Sequence, residues 1–237
     1  MANLAPMPPI ALPQAQLQEF GAQWQANGGR LSRTPPFSSL QLGSVVNGAV
    51  ADSLAVMLGG IPVVPPLNGD ALLPTQPDCV ECGEIRIVGG IRPQNFDVGY
   101  RPDGVRFAFD GKTLNDLKSV GKNYQNMIND LATEAATVHT RFPYAVVAFM
   151  VVVPTPCLVE PQRSALIRSL EILNSRQNVN DPSHLAESIA LVVWDPASET
   201  LDPAVPPAIS PVQLGLFAQR IQAAYFSRYQ GMPPHIH

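Results

Sequence analysis

The chain has 237 residues, 46% of them apolar, and carries 15 basic against 19 acidic side chains for a formal charge of −4. That length can bury one sizeable core, while the mild negative balance argues against a protein that coats nucleic acid through bulk charge. The longest apolar run, residues 145–154, is too short to cross a bilayer, and three cysteines do not make a disulfide framework.

The opening segment MANLAPMPPIALP lacks the basic start and apolar centre of a signal peptide, so a soluble cytoplasmic protein is expected. Residues 1–11 read as a loose arm. Residues 12–26 read as a helix with Pro13 in its first turn and Leu17, Phe20 and Trp24 on one stripe, stopped by Gly28-Gly29. Residues 30–41 read as loop. A second helix is expected over 43–58, with Val46, Val50, Leu54, Met57 and Leu58 on one side and Asp52 away from that stripe. Residues 62–77 form a proline-rich connector. Cys79 and Cys82 make a CxxC that could supply two zinc ligands. A closed site needs two more, and free thiols at a strand entrance are the simpler expectation. Residues 84–88 and 96–100 read as strands.

The next stretch, YRPDGVRFAFDGKTLNDLKSVGK over residues 100–122, holds all three lysines of the chain, Lys112, Lys118 and Lys122, together with Arg101 and Arg106. VRFAF and KTLNDLK are strand-like runs on either side of Asp110-Gly111, a dipeptide suited to a two-residue hairpin turn. With the turn there, Phe109 pairs with Lys112, Phe107 with Leu114, Val105 with Asp116, and Asp103 with Lys118. Directly opposed residues share a face. Asp103, Asp116 and Lys118 are therefore expected to converge at the open end of the hairpin, where two carboxylates and an ammonium suit a divalent metal and a water.

Residues 121–141 read as an amphipathic helix with Tyr124, Met127, Ile128, Leu131, Ala135 and Val138 at helical spacing. Residues 144–153 read as a strand buried on both faces. A helix over 162–173 follows. NSRQNVN, residues 174–180, then presents Asn174, Arg176, Gln177 and Asn178, side-chain types that can hydrogen-bond base edges in the major groove. IALVVWD is a further buried strand, and a helix over 213–229 ends the reading. The fold expected is α/β (α+β), a mixed central sheet flanked by helices. It is read as one domain over 1–237, with a core at about 43–154 and an elaboration at 155–237 for DNA recognition or dimerisation.

Pro102-Asp103, then Asp116-Leu117-Lys118, with the helix GKNYQNMINDLATEA and the apolar strand behind them, resembles the PD-(D/E)xK motif of type II restriction endonucleases and their relatives. The resemblance covers roughly residues 85–154 and implies an αβββαβ core. It implies Mg²⁺ held by Asp103, Asp116 and the Leu117 carbonyl, with Lys118 orienting or deprotonating the attacking water to leave 5′-phosphate ends. It also makes Asp52, on a helix before the sheet, a possible third acid, and puts Lys122 and Gln125 near the DNA backbone. Asp97 is an alternative metal ligand if the register slips, and Asp110 is the rival for the first acid. The implied partner is double-stranded DNA, bound by a homodimer and without a membrane. A repair or recombination nuclease of the same core, or a non-catalytic DNA-binding protein, are the other readings.

Overall fold

A computed structural model of the chain describes residues 3–67, 72–198 and 200–235. Residues 1–2 of the expected arm and 68–71 of the expected connector lie outside them. In chain order the elements are α1 (Gln14–Ala26), α2 (Ser39–Met57), β1 (Val63–Val64), β2 (Val80–Val88), β3 (Pro93–Tyr100), β4 (Phe107–Thr113), α3 (Val120–Arg141), β5 (Val146–Pro154), α4 (Gln162–Leu173), β6 (Ser188–Trp194) and α5 (Leu214–Tyr229).

The strands form one mixed sheet in the order β1-β2-β3-β4-β5-β6. β2, β3 and β4 run antiparallel, whereas β4, β5 and β6 are parallel. Every residue of β5 and β6 is buried, because helices cover both faces of the parallel half. Phe109 meets Phe217 of α5, and Gly111, two residues on, faces Asn47 of α2. Hence α2 and α5 share one face. Lys112 turns the other way, to Glu134 of α3. Apart from the two-residue β1 between α2 and β2, the α2-β2-β3-β4-α3-β5 run is an αβββαβ order, and the fold class read from the sequence is borne out.

α2 is a described helix long and apolar enough to cross a membrane; here Leu42, Val46, Val50 and Leu54 are buried in the core. It starts earlier than residue 43, because Ser38 caps it by accepting from Gln41 N–H. The N-terminal segment is not a loose arm: Met7 and Ile10 are buried, and Ala5 N–H donates to the Met57 carbonyl.

The hairpin differs from the expected one. The chain contains two Asp-Gly pairs, and the turn falls at the first, in residues 101–106. Gly104 takes φ +123°, and Arg106 N–H closes the loop onto the Tyr100 carbonyl. Asp110-Gly111 is extended, inside β4, with β5 alongside it in register from Phe107/Val146 to Thr113/Val152. The apolar run 105–109 is buried on both faces and needs a bonded neighbour on each edge. β5 supplies an apolar one, which the polar segment KTLNDLK cannot. After Leu114 that segment leaves the sheet, and Asp116 Oδ1 accepts Lys118 N–H at 2.9 Å in the turn into α3.

At the opposite edge, Glu187 at the start of β6 is fully buried. Arg176 and Arg228 lie 2.9 Å away and His139 3.2 Å, at ion-pair distance without hydrogen-bond alignment. Val147 N–H donates to Glu187 at 2.7 Å. Glu187→Ala leaves two buried guanidiniums uncompensated, and a loss of about 3–5 kcal/mol is expected in urea unfolding. A loss below about 1 kcal/mol would show that the cluster is not a structural tie.

Candidate active site

β3 and β4 are paired from Tyr100/Phe107 to Val98/Phe109 and then part. The Asp97 carboxylate fills the gap, accepting Gly111 N–H at 2.9 Å. Asp110, the next residue of β4 beyond the split, faces Asp97, close enough that its charge raises the Asp97 carboxyl. Two residues further, Lys112 Nζ donates to both Asp110 and Glu134, the latter at 2.9 Å. Gln94 Nε2 holds the same Glu134 oxygen at 3.1 Å. Glu134 Oε2 is buried with no hydrogen-bond partner, and so is Asn47 Oδ1. Asn47 Oδ1 lies 2.8 Å from where a Cβ on Gly111 would sit.

Two carboxylates therefore hold the ammonium, and a third, Asp97, lies beside Asp110. Burial, then the neighbouring Asp110, pushes Asp97 up to about 7. Burial also raises Asp110, to about 6, against the pull of Lys112. For Lys112 burial acts downward, but Asp110 and Glu134 outweigh it and hold the ammonium protonated above its ordinary value. Cys82, half-buried in β2, is pushed up to about 11 by burial, then by Asp97 and Asp52.

The residues expected to converge do not. Asp103 sits in the β3–β4 turn with its carboxylate on Arg106. Asp116, Leu117 and Lys118 follow the other end of β4, six residue steps and so about 20 Å away. Asp52 is exposed on α2, and the α2 side chain beside the site is Asn47. Lys122 and Gln125 lie exposed on the first turns of α3, as expected. The NSRQNVN loop is placed at the N-terminal end of β6, away from Lys112 at the C-terminal end of β4. Arg176 is 3% exposed and donates to the carbonyls of Pro143, Val179, Asp181 and Pro182. Asn174, at 2%, bridges Pro211 and Ile189 backbone. Both are scaffold, not base readers. Gln177 and Asn178 are exposed, with their N–H groups tied to Asp181. Cys79, Cys82 and Cys157 are free thiols.

Glu134 and Asn47 were missed. For Glu134 a signal existed: a carboxylate at the buried-stripe spacing of Met127, Leu131 and Val138, all of which are buried. Asn47 gave none, since its neighbour Gly111 is remote in sequence.

The donor set suits a divalent cation. Asp97 and Asp110 offer hard carboxylate oxygens, and Mg²⁺ needs only a few protein oxygens beside its waters. Among the described residues no three His, Cys, Asp or Glu side chains form a metal-holding group, so the site would rest on two carboxylates. No family model matches the chain, and no curated protein or solved structure matches it either.

Asp97 lies at 3.8 when unperturbed and at about 7 in the fold. Folding therefore takes up protons across that window, and native stability falls as pH rises through it. Urea unfolding of wild type and Asp97→Asn, at roughly pH 4 and pH 8, should find the variant gaining on wild type as pH rises. A difference independent of pH would contradict the strained carboxyl pair.

Proposed function

We propose that the protein is a Mg²⁺-dependent DNA endonuclease whose reacting centre is Asp97, Asp110 and Lys112. The observation that carries this reading is the placement of two carboxylates and a lysine where adjacent antiparallel strands split, within an αβββαβ order. The resemblance to PD-(D/E)xK nucleases then applies in a shifted frame: Asp97 stands for the first acid, and Asp110-Gly111-Lys112 for the second acid, spacer and lysine. On that resemblance the Gly111 carbonyl takes the part expected of Leu117.

Mg²⁺ bound by Asp97 and Asp110 would supply an activated water and stabilise charge on the departing oxygen. Water adds to phosphorus and gives a proton to solvent, the bond to the 3′ oxygen breaks, and that oxygen takes a proton from solvent, leaving 5′-phosphate and 3′-hydroxyl ends. Lys112 is held as the ammonium, so it offsets phosphate charge and orients the water and does not act as the base. Exposed Arg30, Arg33, Lys118 and Lys122 suit a DNA backbone. The first two stand near Lys118, because Leu117 N–H donates to the Gly29 carbonyl.

The test is incubation of plasmid and phage DNA with Mg²⁺ or EDTA. Asp97→Ala, Asp110→Ala and Lys112→Ala should each lower cleavage by roughly 10²–10⁴-fold, whereas Asp103→Ala should stay near wild type. An inactive Lys118→Ala beside an active Lys112→Ala would return the centre to residues 116–118. Discrete fragments would mark a sequence-specific enzyme, and a smear a less selective one. No Mg²⁺-dependent cleavage would favour a non-catalytic DNA-binding protein.

A further inference from the structure

We infer that Glu134 is a positioning residue: it receives the Lys112 ammonium when a divalent cation takes Asp110, and so lets the cation bind without expelling a buried charge. The inference rests on the reading of Asp97 and Asp110 as cation ligands. Lys112 is shared between Asp110 on its own strand and Glu134 on α3. Its side chain is 23% exposed, against 11% for Asp110 and 4% for Glu134. Lys112 is only partly exposed, and once a cation draws Asp110 away its ammonium keeps a carboxylate partner only on Glu134.

A cation on Asp110 would compete directly with Lys112 for the same carboxylate. Glu134 is built to take over. Oε1 already holds Lys112 and is fixed by Gln94 Nε2, while Oε2 is buried with no partner and has an acceptor position to spare. Glu134 sits mid-helix among core residues, so its carboxylate is held by packing and does not swing. The ion-free arrangement stabilises the two strand carboxylates through Lys112. The ion-bound one keeps Lys112 in place beside the reacting phosphate.

The test uses Mn²⁺ alone, without DNA, with free ion followed by electron paramagnetic resonance. Glu134→Gln should weaken Mn²⁺ binding by about tenfold in the wild-type background, and by less than about twofold in Lys112→Met, where no ammonium needs a new partner. Equal weakening in both backgrounds would mean that Glu134 acts only as a nearby charge, and would overturn the inference. So would no weakening at all.

A second measurement needs no variant. Acetic anhydride labelling with peptide mapping compares the three lysines of the chain. With saturating Mn²⁺, Lys112 should stay slow relative to exposed Lys118 and Lys122; a rise to their rate would show that the ammonium is released, which overturns the hand-over. If wild type binds Mn²⁺ and cleaves DNA while these outcomes fail, the inference falls and the nuclease reading stands. If wild type neither binds nor cleaves, the nuclease reading falls and takes the inference with it.

Discussion

β4 has to satisfy both edges and both faces at once. Phe107, Ala108 and Phe109 are fully buried, so their backbone groups have no water to turn to and must bond to strands on either side. β3 serves one edge for three residue pairs and β5 serves the other along the whole strand. The mismatch in length produces the site. Where β3 departs, β4 is left with one free edge over Asp110–Lys112, and Gly111 N–H there is met by the Asp97 carboxylate instead of by another strand. The turn at Gly104, the crossover through α3 and the gap filled by Asp97 all depend on that double pairing.

Elements with strong periodicity were legible from the amino acids alone. α4 runs over Gln162–Leu173 as read, α3 differs by one residue at its start, and the all-apolar run of β5 lies inside the sheet, between β4 and β6. The hairpin was not legible, because Asp103-Gly104 and Asp110-Gly111 carry the same turn chemistry on either side of one apolar run. Local propensity cannot choose between them. The choice is made by β5, some forty residues away in sequence. Asp97 and Asp110 were visible as residues of interest, but only the strand register joins them to Lys112. Arg176 and Asn174 illustrate the opposite error: polar side chains in a polar loop turned inward to satisfy backbone carbonyls and amides that the loop would otherwise bury unpaired.

Buried charge is handled in two contrasting ways at the two ends of the sheet. Glu187 lies among Arg176, Arg228 and His139. Burial alone would raise its carboxyl, yet that company holds it below the ordinary carboxylate range. Positive charge is in surplus there, and the cluster joins β5, β6, α3, α5 and the loop after α4. Around Lys112 the surplus is negative, and both strand carboxyls are pushed up. Two carboxylates there share one ammonium, with Asp97 beside them. The first end is closed around its charges, and the second keeps a negative surplus.

The contact between Asn47 and Gly111 ties two distant positions into one unit of inheritance. A Cβ at 111 would come within 2.8 Å of the Asn47 amide oxygen, so a larger residue there needs that amide to turn away or a smaller residue at 47. Positions 47 and 111 should therefore drift together among descendants of this chain, leaving a covariation that marks the site even where the surrounding sequence has diverged.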